Sequence, residues 1–123
     1  MATAVIAAVQ GHLQTGKAKA LAVTSIKRSA SLPNVPTVAE AGLAGFDVSA
    51  WNGLLAPAGT PDAIVNEIWQ TSNRVMQAKE VNDQLIKLGL DLALMNPAEF
   101  SAFLQREVQE WGKVVRETGV KAE

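Results

Sequence analysis

Cysteine is absent from the 123 residues and histidine occurs once. Without cysteine there are no disulfides and no thiolate metal sites, and cysteine usage says nothing of the redox compartment. His12, with neither cysteine nor an HExxH neighbour, makes a poor metal ligand and fits a surface or half-buried structural position. Charge of one sign is lacking too. Lys and Arg number 11 against 12 Asp and Glu, a formal net charge of -1 that gives no electrostatic case for nucleic acid or an anionic membrane. No apolar run approaches the length that spans a bilayer. Asn66, Asn73 and Asn82 open no N-x-S/T sequon. No serine sits in a G-x-S-x-G elbow, and no carboxylates stand at a spacing that forces two into one pocket. An enzyme reading therefore has nothing to rest on, and neither a cofactor nor a metal is called for. The opening MATAVIAAVQ lacks a basic n-region, and Gln10 comes too early for an h-region, so the chain as written is expected to carry no export signal.

What is present belongs to a soluble globular chain: 48% apolar and 19% charged residues, in a length that suits one domain. Val5, Ile6, Val9 and Leu13 follow helical spacing between Ala2 and Thr15, with Gly16 as the stop. The run 18–24, AKALAVT, suits a strand of a covered sheet. Thr37 and Glu40 have the spacing of a capping box, so a helix of one or two turns is expected from Thr37 to Gly42. Phe46, Val48 and Ala50 alternate with Asp47 and Ser49 as a strand running into Trp51. Thr60 caps the next helix, with Pro61 at its first position and Asp62 at the positive end of its dipole. Ile64, Val65, Ile68 and Val75 form its expected buried face, with Trp69 at the margin. A further helix over 79–89 turns Val81, Leu85 and Leu88 inward, and 90–95, LDLALM, alternates as a strand. Asn96, Pro97 and Glu99 repeat the start signal for a last helix running to about Thr118, with Phe100, Phe103, Leu104, Val108, Trp111 and Val115 on one side and Gly119 after it. No internal repeat or low-complexity tract interrupts this order.

One stretch imitates a nucleotide site. GHLQTGKA, residues 11–18, is a phosphate-loop pattern in all but its last position. A phosphate loop follows a strand and opens a helix, so that N–H groups face the phosphates. Here the expected order is helix, turn, strand, and Ala18 replaces the hydroxyl that would hold magnesium. Gly16 as a helix stop is the better account, leaving Lys17 and Lys19 solvated. Arg106–Glu110 and Lys113–Glu117 are i,i+4 pairs on the outer side of the last helix, a solvated charged face that also holds Glu107. Trp69 and Trp111 suit helix packing, whereas Trp51 comes where a strand gives way to Gly53 and a Pro-Gly loop. Trp51 is either a plain strand end or the aromatic wall of a cavity.

Helices alternating with single strands imply parallel pairing and an α/β layered fold. Three strands make a thin sheet with unpaired edges, which is the pattern of part of a larger fold.

The stretches GKAKALAVTSIKRSASLPNVPTVAEAG and GFDVSAWNGLLAPAGTP, with the closing NPAEFSAFLQREVQEWGKVVRETGVKAE, resemble the C-terminal part of the Bug family. These are periplasmic substrate-binding receptors of tripartite tricarboxylate transporters. The resemblance covers nearly the whole chain, including the Glu107–Trp111 spacing. It implies a partial periplasmic-binding-protein fold of the type 2, two-lobe kind, with parallel-type strands covered by helices. Residues 1–50 would then finish the second lobe, 51–59 would cross between lobes, and 60–123 would finish the first. It also implies that the signal peptide and the first lobe's N-terminal loops, which supply much of the ligand contact, lie outside this sequence. The expected location is the periplasm for the family, and the cytoplasm for this chain if expressed as written.

A receptor of this family would close on a small carboxylated solute and deliver it to transporter membrane subunits. Ligands of open α/β sheets bind at the C-terminal ends of parallel strands, which points to Thr24 and Ser25, either as ligand donors or as turn formers. Trp51 and Asn52 would stand beside the cleft. Arg28 is either a partner for a ligand carboxylate or a solvated turn residue. The alternative function is a truncated, non-binding fragment that folds by self-association, as a homodimer or domain-swapped oligomer.

Overall fold

The computed structural model describes residues 2–120. Met1 and Lys121–Glu123, which belong to the quoted opening and closing stretches, lie outside the described residues. The described chain carries four helices: α1 (Ile6–Gln14), α2 (Asp62–Met76), α3 (Lys79–Lys87) and α4 (Pro97–Thr118). It divides into two compact units, one of residues 1–56 with 74–92, the other of residues 57–73 with 93–123.

In the first unit, local chemistry sets where elements start and stop. The N–H of Gly16 donates to Leu13 O at 3.2 Å, past the end of α1, so GHLQTGKA is the carbonyl end of a helix and not a phosphate cradle. Exposed His12 lies on that last turn. The Thr37 capping box forms: Glu40 N–H donates to Thr37 Oγ1 at 3.0 Å, and Thr37 N–H to Glu40 Oε2 at 2.8 Å. Leu43 N–H reaching Val38 O at 3.3 Å then closes the segment. Start and stop are where the sequence puts them, yet a single turn lies between them rather than a helix. At the end of α3, Gly89 N–H donates to Ile86 O at 3.0 Å and Leu90 N–H to Leu85 O at 2.9 Å, the two bonds of a Schellman motif. That motif requires the left-handed backbone Gly89 adopts, φ 76°, and the glycine also lies against Ile6 of α1.

The expected strands over 18–24, 46–51 and 90–95 are not continuous ladders. Among the described residues the only pairing is an isolated parallel bridge between Val23 and Thr37. A strand exists only as far as neighbours meet its N–H and C=O groups. Residues 36–38 meet Val23, Val48 meets Thr24, and Leu90 spends its N–H on the end of α3. The direction of pairing is parallel, as the order of elements implies.

The buried centre of this unit is partly polar: Val23, Ser29 and Thr37, the last only 1% exposed. Both hydroxyls are satisfied, Thr37 by Glu40 and Ser29 by Ser31, whose Oγ lies 2.9 Å away.

In the second unit, Asn96 and Glu99 open α4 with both bonds of a capping box, at 2.9 and 2.8 Å. Gly119 ends it, its N–H donating to Val115 O at 3.0 Å. Thr60 Oγ1 donates to Pro57 O at 2.8 Å, tightening the loop that leads into α2. Phe100 and Phe103 stack with ring centroids 6.2 Å apart, and with Leu104, Val65 and Trp69 they are half-buried. Val81 and Leu85 of α3 are half-buried as well, whereas Ile64, Ile68, Val108, Trp111 and Val115 here, and Val75 and Leu88 in the first unit, are exposed. The helical spacing is real, but an apolar stripe states only that a face favours cover, and no described element covers these. Lys113–Glu117 closes at 3.8 Å, while Glu107 accepts from the Trp111 indole N–H at 3.3 Å and so does not stand on a purely solvated face.

Candidate functional site

Thr24 and Ser25 stand where the paired segment ends. Val23 is held on one side by Pro36 O and Val38 N–H, each at 2.9 Å, and Thr24 O accepts from Val48 N–H at 2.9 Å on the other. Beyond that point the backbone bends through residues 24–27, and both side chains are half-buried. Ser25 Oγ donates to Lys27 O at 2.7 Å, so the hydroxyl braces the bend as a turn former does.

Three carboxylates fix this loop from distant parts of the sequence. Ile26 N–H donates to Asp47 Oδ1 and Ala30 N–H to Asp91 Oδ1, each at 3.0 Å. Arg28 Nε reaches Glu40 at 3.2 and 2.9 Å, and Arg28 Nη1 donates to Pro33 O at 3.3 Å. Arg28 is thus an exposed turn residue whose charge is paired with the protein's own Glu40 and not left open for a solute. The Arg28 hydrogen bond, seconded by the Thr37 N–H, holds the Glu40 carboxyl below its ordinary value of 4.5.

Trp51 and Asn52 belong to the same compact unit, further along the segment that contains Val48. Three residues of chain span at most about 11 Å, so Trp51 lies within that reach of the Thr24–Val48 contact. Trp51 is 41% exposed, and Leu54 and Leu55 beside it are more so, at 73% and 70%. The segment is therefore not a sealed strand end.

Two shallow cavities lie elsewhere. One of about 240 Å³ is lined by Ile6, Gln10, Leu13, Gln14, Ser31 and Leu32. The other, about 450 Å³, lies between the starts of α2 and α4, against Trp69, Asn66 and Asn96. Neither takes in Thr24, Ser25, Trp51 or Asn52. Among the described residues, no group of three or more His, Asp and Glu could hold a metal ion.

Sequence reasoning missed Asp47 and Asp91 as loop tethers. Both occupy the polar positions of alternating segments, where a solvent-facing side chain is the ordinary expectation. Their partners are 21 and 61 residues away. The only local hint is that each carboxylate follows an aromatic or apolar residue at a point where a strand pattern meets a turn.

The comparisons with known proteins agree on the class. The family model described as "Tripartite tricarboxylate transporter family receptor" matches residues 1–120. Protein BugT of Bordetella pertussis is 37% identical over 114 residues, which is 93% of this chain and 35% of that protein. The structure of the periplasmic binding protein BugD superposes with a TM-score of 0.74 at 31% identity, over 94% of this chain and 39% of that one. Rpa4515 of R. palustris, solved with adipate, gives a TM-score of 0.77 at 30% identity over 93% of this chain and 38% of that one. The chain thus spans between a third and two-fifths of the length of these relatives, and its backbone is part of an α/β periplasmic-binding-protein fold. These relatives are binding receptors, not enzymes. With that match across nearly its whole length, the chain belongs to the tripartite tricarboxylate transporter receptor family.

Proposed function

We propose that this chain is the C-terminal part of a solute-binding receptor that captures small carboxylated solutes, di- or tricarboxylates or similar, in the periplasm for a tripartite transporter. The observation that carries this is the superposition on Rpa4515, a relative solved with adipate, at 30% identity. Residues 1–50 complete one lobe, 51–59 cross between lobes and 60–123 complete the other; one boundary between compact units, after Ala56, falls inside the proposed crossing, whereas residues 74–92 group with the first unit, against this division. Thr24 offers its hydroxyl at the strand end, Ser25 can donate to a carboxylate once its Oγ leaves Lys27 O, and Trp51 and Asn52 wall the cleft. Each neutral hydrogen bond adds only about 0.5–1.5 kcal/mol net, so affinity comes from several converging groups. Membrane subunits of the transporter are the proposed partners of the loaded receptor. No described helix is long and apolar enough to cross a membrane.

The test is a titration with adipate of the full-length receptor that contains this chain, followed by tryptophan fluorescence. Saturable quenching that weakens in Thr24→Val and Trp51→Ala supports the assignment. Saturable binding indifferent to both substitutions removes these residues from the site, and the absence of binding to any dicarboxylate overturns the reading. The second reading, a non-binding piece that self-associates, is favoured by the exposure of Leu54, Leu55 and Val108. Sedimentation at several concentrations separates the two, because a monomer throughout excludes it.

A further inference from the structure

The pairing beside Thr24 stops in an unusual way. In a parallel ladder a residue donates its N–H to one residue of its neighbour and accepts at its C=O from the residue two further on. Val23 does this with Pro36 and Val38, at 2.9 Å each. On the opposite side Val48 N–H donates to Thr24 O at 2.9 Å; continued in the parallel sense of the Val23–Thr37 bridge, that contact would place its next bond from Ile26 N–H to Val48 O. Ile26 N–H goes instead to Asp47 Oδ1, at 3.0 Å. The side chain preceding Val48 has taken the place of Val48's carbonyl.

We propose that Asp47 is a positioning residue for the ligand site: its carboxylate ends the ladder after one rung and keeps the Thr24–Ser25 turn from being drawn into a longer strand. The proposal deepens the carboxylate-receptor reading and rests on it. Ser25 Oγ on Lys27 O, at 2.7 Å, braces the bend from within, and Asp91 on Ala30 N–H, at 3.0 Å, holds its far side. Asp47 acts at the one point where the bend and the paired segment meet. A carboxamide accepts the same hydrogen bond without the charge, so Asp47→Asn keeps the stop. Asp47→Ala leaves Ile26 N–H to Val48 O, which lengthens the ladder and removes the turn that presents Thr24 and Ser25. A carboxylate that merely repelled an anionic solute would behave otherwise, since either substitution would then tighten binding.

The experiment compares the full-length receptor that contains this chain, as wild type and with Asp47→Asn or Asp47→Ala, in three measurements. These are adipate affinity by calorimetry, the thermal midpoint, and the scalar coupling across the Ile26 N–H hydrogen bond by NMR, which identifies the acceptor carbon. Asp47→Ala is expected to bind adipate roughly fivefold more weakly, the effect of one ordinary hydrogen bond, with no fall in the thermal midpoint. Asp47→Asn is expected to restore the affinity. The coupling should run to the residue 47 side-chain carbon in the wild type and in Asp47→Asn, and to the Val48 carbonyl in Asp47→Ala. Coupling to Val48 in the wild type, unchanged affinity in Asp47→Ala, or tighter binding by both variants overturns the proposal. Failure of the wild type to bind adipate overturns the receptor reading instead, and the Ile26 coupling still decides whether Asp47 stops the ladder.

Discussion

Replacing Gly89 by alanine should be among the most damaging single-methyl changes available in this chain. The added Cβ would fall 2.7 Å from Ile6 Cγ2, 3.0 Å from Ile6 Cβ and 3.1 Å from Ala7 N. None of these is the far end of a flexible side chain, so relief requires α1 to move. Two costs add. A residue with a Cβ in the left-handed region loses about 1–2 kcal/mol. Forcing a methyl into occupied space costs about 1–3 kcal/mol more. Gly16 supplies the control: its φ is nearly the same, +70° against +76°, with no atom within 4 Å of a Cβ built on it. Gly16→Ala should therefore show the backbone cost alone. Urea unfolding of both variants followed by far-UV circular dichroism would give the difference, expected at about 1–3 kcal/mol in the direction of greater damage at Gly89. In an Ile6→Ala background only part of that difference should vanish, because the Cγ2 contact is gone while the residue 6 Cβ and Ala7 N stay at 3.0 and 3.1 Å. Equal destabilisation by the two glycine substitutions would refute the close packing of α1 against the end of α3.

Asn96→Ala removes the side-chain acceptor of the capping box at the start of α4, leaving only the backbone N–H bond to Glu99, and should cost about 1 kcal/mol, while Asn96→Asp keeps the acceptor and most of the stability; thermal melts of the two variants check this. Glu40 gives a pH dependence whose sign follows from its lowered carboxyl pKa. A group depressed in the folded state stabilises above its ordinary value of 4.5, and that contribution is lost as pH falls through the lowered one. The thermal midpoint of the wild type should drop over that acidic window more steeply than that of Glu40→Gln. Parallel profiles would count against the Arg28–Glu40–Thr37 cluster.

Features whose partners lie within a few residues were legible in the sequence. Thr37 with Glu40, Asn96 with Glu99, and Gly16, Gly42, Gly89 and Gly119 as stops all act through side chains and amides three to six positions apart, so spacing alone locates them. The strands were legible in direction but not in extent. A ladder is decided by whichever distant segment arrives, and at Thr24 what arrives is one amide from Val48 and one carboxylate from Asp47. Burial was the least legible. The stripe Val108, Trp111, Val115 has core spacing, yet nothing in periodicity says whether a neighbour exists to lie against it. At the candidate site, Thr24 and Ser25 are singled out by the strand-end rule, and Trp51 and Asn52 by the family resemblance that puts them at the crossing. Arg28 was undecidable for a different reason: a cation 12 positions from its carboxylate has no sequence signature.

The knot of Arg28, Thr37 and Glu40 also bears on how the chain assembles. Its members span 12 positions, whereas the Ala30–Asp91 tether closes a loop of 61. On chain-entropy grounds the longer closure costs about 1.4 kcal/mol more. Residues 28–40 can consequently tie themselves together early, before the rest of the chain is in place. The Asp91 strut arrives only after two further helices have been made, and it locks a loop whose shape is already half decided.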